Sequence, residues 1–417
     1  MRIVLGASDF GFGPISKLTA ISRALAGHHR VLTGTTIRAD FARINADAFD
    51  EVVAPRDSSP TALDGLILDS DYVISVMDAD LVFRAVALGR PVFYVDSLFA
   101  FWQLRREPAA IAELCAKVRR AGFGTLEHHL GGLSPHERQY AAHLLADASA
   151  VQNFPGVPER LAEIQRVYDG RIHLTGSIVD EQSLAVAAGS GAGPDLLLSL
   201  GGYKNFLLDF DHNNEYLRLI ARWMSDLLAD WPRFERVVAC SGGFAGDRAG
   251  SVSVGDRRAD LTCLAQPAFM RFLASARHCM LTPGLTAIHE ATVLDRFPMA
   301  LPEEHYGHIV NLAGLRGTLF AKCGSRFADM VDNYAVPDHD YQGTAAIIAQ
   351  VAPLLTDDAA YRRFRRGMNE RIEAFVALSA DERATGAAEL RSLFHGERFT
   401  ELLGRLLPVG ATARSTS

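Results

Sequence analysis

The feature that most restricts what this chain can fold into is an alternation of strands and helices that runs twice, once on each side of a stretch of small residues. In the first run, residues 2–7, 30–35, 71–77, 91–95, 148–153 and 171–175 read as short apolar strands, with helical apolar spacing over 15–26 and 79–88. Strands that alternate with helices need crossover connections, which give a parallel sheet covered on both faces. Residues 178–194 include Ala-Val-Ala-Ala-Gly-Ser-Gly-Ala-Gly-Pro, a composition suited to a flexible connector. The alternation restarts with strands at 195–200, 236–240, 259–264, 278–281 and 297–301, and with helices at 212–229, 267–276 and 286–294. From Gly343 to about Leu407 the chain is helix-forming, and its polar end, Ala-Thr-Ala-Arg-Ser-Thr-Ser, reads as disordered. The expectation is an α/β protein of two doubly wound, Rossmann-like domains facing across a cleft, with a helical C-terminus. The boundaries fall at 1–178, a linker at 179–194, 195–395, and a terminal helix and tail at 396–417.

A length of 417 residues agrees with two cores, and 48% hydrophobic with 22% charged residues fits a globular protein. The formal charge of −7 argues against broad nucleic-acid or anionic-membrane binding. No apolar run approaches the ~20 residues that span a bilayer, and Asp9 and the glycines interrupt the first apolar run, so no secretory signal is read. Cys115, Cys240, Cys263, Cys279 and Cys323 are scattered without a C-x-x-C pair. An odd set of separate thiols suits a reducing cytoplasm, the expected location.

In open α/β sheets ligands bind at the carboxyl ends of the strands. The exit of the first strand, Ala7-Ser-Asp-Phe-Gly-Phe-Gly-Pro-Ile-Ser-Lys17, carries an acid, two glycines and a lysine, but spells neither G-x-G-x-x-G nor a P-loop. The richest segment is 278–311. There a strand runs into Thr282-Pro-Gly-Leu-Thr286, a helix begins, and Glu290 follows about one turn later. The unpaired N–H groups and the dipole of such a helix start favour a phosphate or pyrophosphate. A carboxylate one turn on can accept both hydroxyls of a ribose.

The segment resembles the donor-nucleotide motif of GT-B glycosyltransferases, with Pro283, Gly284, Leu285 and Thr286 as the turn, Glu290 as the ribose acid and Asn311 on the terminal Asn of a Gln-x-x-Asn element. His308 stands where the family has Gln, and Gly307 where it has an acid or amide, so Glu303, Glu304 or His305 would take over the sugar contacts. Gly201, Gly202 and Lys204 resemble the diphosphate-facing turn after the first donor-domain strand, and Gln266 begins a loop like the one that receives uracil. The resemblance implies a UDP-sugar donor, no metal or other cofactor, inversion at the sugar carbon, and Asp9 as the base near the acceptor. Phe10, Phe12, Gly13, Lys17, Asp96, Phe99 and Trp102 are then the acceptor side, with Lys17 also within reach of a donor phosphate or sugar carboxylate. Gly-Phe-Gly-Pro-Ile-Ser-Lys-Leu (11–18) and the runs at 71–85 and 89–98 further resemble cytosylglucuronate-synthase-like enzymes of nucleoside-antibiotic pathways. These join glucuronic acid from UDP-glucuronate to N1 of cytosine.

Each role has an ordinary competitor. Gly201 and Gly202 serve equally as a turn, Asp9 as a helix cap or a partner of Lys17, and Glu290 as an exposed helix residue. Phe99, Phe101 and Trp102 suit a core as well as an acceptor wall. His289 reads as a packing residue, and His305 with His308 as structural or sugar-contacting rather than metal-binding. Arg105, Arg106 and the 361–366 segment read as solvated faces. Asp78 and Asp80 spell D-x-D but open a helix. Two other functions stay open: a UDP-sugar 2-epimerase-like enzyme, and an inactive GT-B partner or activator. A small-molecule acceptor is expected for the transferase, and a homodimer is allowed.

Overall fold

The computed structural model describes residues 1–9, 11–34, 41–53, 59–187, 192–201 and 214–407. Phe10, Gly202, Lys204, the polar tail and part of the connector lie outside them.

The first lobe is built on β1 (Arg2–Ala7), β2 (His29–Leu32), β3 (Glu51–Val52), β4 (Tyr72–Val76), β5 (Val92–Asp96), β6 (Ala148–Gln152) and β7 (Ile172–Thr175), in the order β3-β2-β1-β4-β5-β6-β7. All six pairings are parallel. The apolar runs that define these strands are buried without alternation (Ile3, Val4 and Leu5 are fully covered), as a sheet with helices on both faces requires. The chain winds outward from β1 to β3, then returns to β4 on the other side of β1. That reversal opens a crevice between the carboxyl ends of β1 and β4.

The second lobe repeats the device with β8 (Leu196–Ser199), β9 (Arg236–Cys240), β10 (Gly250–Val254), β11 (Arg257–Thr262), β12 (His278–Leu281) and β13 (Met299–Ala300), in the order β10-β11-β9-β8-β12-β13. Its reversal lies between β8 and β12. The two doubly wound sheets and the helical C-terminus are as the alternation predicts. Two short strands were not predicted: β3, only two residues long, and β10, which pairs antiparallel with β11 through a Gly255 turn at φ 59°. None of the five cysteines is in a disulfide. Among the described residues no helix is long and apolar enough to cross a membrane.

The connector is not simply flexible. Glu181–Ala187 is a helix, and Asp180, 1% exposed, pairs with Arg23 of the Phe12–Ala24 helix while accepting from Ser183. Arg23 also binds Asp47 through two nitrogens, at 2.9 and 3.1 Å. The small residues signal a loop, but a buried guanidinium needs an acid, and the connector supplies it. The chain crosses back near 394–398: Glu397 bridges to Thr175, and Phe399 of the Phe399–Leu406 helix stacks on Phe93. Arg105, Arg106, Arg362 and Arg366 are exposed, as the solvated-face reading expects, but each cluster is also anchored. The backbone N–H groups of Arg105 and Arg106 donate to the buried Glu137 carboxylate, which the Arg106 guanidinium also binds. Tyr361 is buried, with Arg222 3.8 Å over its ring, and Arg365 pairs with Asp226 and Asp230.

Burial makes the connector contact testable. Asp180→Ala removes the buried one of the two acids on Arg23 and should cost about 3 kcal/mol in chemical denaturation. Arg398→Ala, which removes an exposed pair with Glu181, should cost no more than about 1 kcal/mol. Equal losses would contradict this reading of the connector.

Candidate functional site

The carboxyl ends of both sheets face one cleft of about 1320 Å3 of empty space, part of it open to solvent. That is somewhat above the roughly 300–1,000 Å3 usual for a single small ligand, and leaves room for two. The first lobe contributes Gly11, Phe12 and Gly13 after β1, Met77 after β4, and Ser97, Phe101 and Trp102 after β5. The second contributes Ser199 and Gly201 after β8, Ser241 and Gly242 after β9, Leu264 after β11, and Thr282 to Thr286 apart from Pro283 after β12.

Two helices start at this cleft. The Phe12–Ala24 and Leu285–Val293 helices begin at Gly11 and Gly284, and neither has a side-chain cap. At the second start the Leu285 and Thr286 N–H groups are left for a ligand. The turns nearly touch, since a methyl on Gly13 would lie 3.3 Å from the Thr286 hydroxyl. Gly11 and Gly201 both hold φ 66°, where a side chain is strained. At Gly242 the constraint is space: a methyl would collide with the Phe12 ring at 1.8 Å. Met77 is held at φ 56° with its N–H on Val95 and its carbonyl accepting from Gln139 at 3.1 Å, an unusual backbone fixed on the cleft wall.

Glu290 is 3% exposed and lines the cleft, so the exposed-helix alternative is excluded. Gln266 donates to it at 2.5 Å, accepts from Ser16 at 3.1 Å, and gives its backbone N–H to Asn45 at 2.9 Å. Burial pushes the Glu290 carboxyl up to about 7 against the opposing pull of Lys17 and Gln266. Lys17 is 1% exposed and does not line the cleft; its ammonium has no hydrogen-bond partner, and burial lowers it to about 8. The acceptor role expected of Lys17 is thus corrected, because its charge is spent inside the protein, opposite Glu290.

Glu304, His305 and His308 form the far wall. Both Glu304 oxygens are buried without a hydrogen-bond partner, and burial alone pushes the carboxyl up to about 8. His308 Nδ1 accepts the Glu304 backbone N–H at 3.2 Å, which leaves the proton on Nε2. That nitrogen would lie 3.5 Å from a methyl on Gly284, so the ring aims a donor at the turn. The His305 and His308 rings stand 3.8 Å apart, and burial holds both uncharged, His308 down to about 3. Asn311 donates to the Pro283 carbonyl at 2.8 Å, so it shapes the turn, and Pro283 itself is off the wall.

On the acceptor side Phe12, Gly13 and Trp102 line the cleft. Asp96 and Phe99 are corrected: both are fully buried beneath it. The Asp96 carboxylate is taken up by Trp102 Nε1 at 2.6 Å, the Leu98 N–H at 2.7 Å and His143 at 3.1 Å, and thereby orients the tryptophan. Asp9 is half-buried at the exit of β1, behind the wall that Gly11 begins. Asp78 caps the Ala79–Ala87 helix through Leu81 at 3.1 Å, as the D-x-D reading predicts. His289 packs on Phe394, 4.2 Å between ring centres, and binds Ser177 at 2.8 Å. Sequence reasoning missed Ser97, Met77, Gly242 and Asp340. Gly242-Gly243 directly after an apolar run was the one signal present.

No family model and no curated protein matches the chain. Among solved structures, the calicheamicin glycosyltransferase CalG4 is 20% identical, with 98% of this chain and 100% of that chain covered and a TM-score of 0.42. The spinosyn forosaminyltransferase SpnP is 13% identical over 97% and 98%, at 0.45. Phytolacca americana UGT2, complexed with UDP-2-fluoro-glucose and pterostilbene, is 14% identical over 94% and 100%, at 0.43. At these values the likeness carries no function over to this chain.

The ionisable groups set a pH profile. Glu304 ionises near 4.5 when unfolded and near 8 when folded, so between about pH 4.5 and 8 the folded state holds the extra proton and stability falls as pH rises. Below 6.5 the buried His289, His305 and His308 act oppositely, because only the unfolded chain protonates them. The apo melting temperature should therefore drop on the order of a few degrees from pH 7 to 8. Glu304→Gln should flatten that limb, and parallel profiles for the two proteins would contradict the assignment.

Proposed function

We propose that this protein is a glycosyltransferase that moves a sugar from a UDP-sugar to a small acceptor. The observation that supports it most is the pairing of an uncapped helix start at Gly284 with a buried carboxyl, Glu290, one turn further on in the same cleft. The diphosphate would sit on the free N–H groups of Leu285 and Thr286, with His308 Nε2–H as a further donor; the Gly284 N–H is held by the Thr282 carbonyl at 2.6 Å. The ribose hydroxyls would replace Gln266 on Glu290, and the base would lie by Gln266 and Leu264. Gly201, with Gly202 and Lys204 beyond the described residues, would face the diphosphate from the other side.

In this reading the backbone N–H groups and helix dipole stabilise the leaving diphosphate, and no metal is required. Asp9, at the exit of β1 beside Gly11, would take the acceptor proton; Phe12, Gly13 and Trp102 would hold a planar acceptor. A cytosine-like base fits that wall. A glucuronate carboxylate finds no lysine or arginine among the described lining residues, so Lys204 would have to meet it.

Calorimetry on the whole chain checks the reading. UDP should bind in the micromolar range and more tightly than NAD or ATP. Glu290→Ala should weaken it at least tenfold, about 1.4 kcal/mol. Asp9→Asn should keep UDP binding and lose most turnover. Equal, weak binding of all three nucleotides would overturn the proposal. Release of free UDP without a glycosylated product would favour the 2-epimerase-like reading instead.

A further inference from the structure

One corner of the cleft asks for a ligand of definite charge. We propose that the corner formed by Glu304, Asp340, His305 and the rings of Phe101 and Trp102 receives a cationic amine carried by one of the two substrates. For the donor this rests on the UDP-sugar reading above.

Glu304 carries the argument. Its side chain is 3% exposed, it lines the cleft, and neither of its oxygens has a hydrogen-bond partner. A buried carboxyl left in this state is costly until a ligand supplies donors, and an ammonium supplies three in one compact group. The rest of the wall agrees in sign. Among the described residues that line the cleft there are three carboxyls, Glu290, Glu304 and Asp340, and no lysine or arginine. Lys17, the nearby buried cation, is off the wall and opposite Glu290.

The corner is also shaped for a cation. Phe101 sits 5.6 Å from Trp102 and 6.3 Å from Tyr306, centre to centre. Gly307 keeps this space open: a methyl there would lie 3.0 Å from the His305 ring and 3.7 Å from the Phe101 ring. Aromatic faces attract an ammonium, and the two imidazoles do not compete because burial keeps them neutral. Asp340 is oriented by His136 at 3.2 Å and by its own N–H on Gln103 at 3.3 Å, so its charge is fixed at the same corner. A lone hydroxyl would satisfy one Glu304 oxygen at most and leave this acidic, aromatic surface unused.

Binding would exchange one proton. The Glu304 carboxyl gives up its hydrogen as the ammonium arrives, and the proton leaves to solvent. Titration calorimetry at pH 7 in phosphate and in Tris reads that release directly, because the two buffers differ in ionisation heat. In the donor arm, UDP-glucosamine and UDP-4-amino-4-deoxyglucose are compared with UDP-glucose and UDP-glucuronate. In the acceptor arm, tyramine is compared with 4-ethylphenol on UDP-saturated protein. The expected result is at least tenfold tighter binding of the amine in one arm, with about one proton released, and loss of that preference in Glu304→Gln. Should that variant misfold, proton release by the unaltered protein still decides. If UDP binds but neither amine is preferred, or UDP-glucuronate is preferred, the inference is overturned and the nucleotide reading stands. If UDP itself does not bind, both are overturned.

Discussion

Gln266 joins the two lobes at the point where a ligand must enter. Its backbone is held by Asn45, its carbonyl by Ser16, and its amide by Glu290. Two of these partners lie in the first lobe and one in the second. Gln266 and Glu290 both belong to the second lobe, and Asn45 and Ser16 tie that buried pair to the first. Phe12 packed on Gly242 and Gly13 beside Thr286 act at the same seam. Whatever displaces Gln266 from Glu290 must supply equivalent donors, which a vicinal diol can do. Ligand binding and lobe position are in this way one equilibrium.

The charges in the cleft follow from the same burial. Glu290 and Glu304 are pushed up, His305 and His308 down, and Lys17 is withdrawn beneath the wall. The field felt by a ligand then comes mainly from two uncapped helix starts and from whichever carboxyls have lost their protons. Such a surface favours a diphosphate at one end and a neutral or cationic group at the other. Its selectivity comes from position within a single cleft rather than from net charge, which at −7 would by itself repel a nucleotide.

Much of this was legible in the chain. Unbroken apolar runs such as Leu196–Ser199 can only be strands covered on both sides, and Thr-Pro-Gly-Leu-Thr after one of them marks the helix start that lines the cleft. Those signals are local. What could not be read depends on partners far along the chain. Asp96 looks like a cleft acid because it ends a strand, yet Trp102 and His143 consume it. Lys17 looks like a ligand contact because it follows glycines, yet helical spacing turns it inward, opposite Glu290. The connector looks flexible by composition, and Arg23 makes part of it a buried helix cap. Asp340 gives no local sign at all, since the helix that it opens is placed at the cleft by residues far along the chain, Gln103 and His136 at its N-terminus and Tyr306 on Thr344.

A crystal structure with UDP bound tests the central claim most directly. The account predicts diphosphate oxygens within hydrogen-bond distance of the Leu285 and Thr286 N–H groups, and the ribose on Glu290 with Gln266 displaced. Nucleotide density elsewhere on the molecule, or a ribose that leaves the Gln266–Glu290 contact intact, would contradict it.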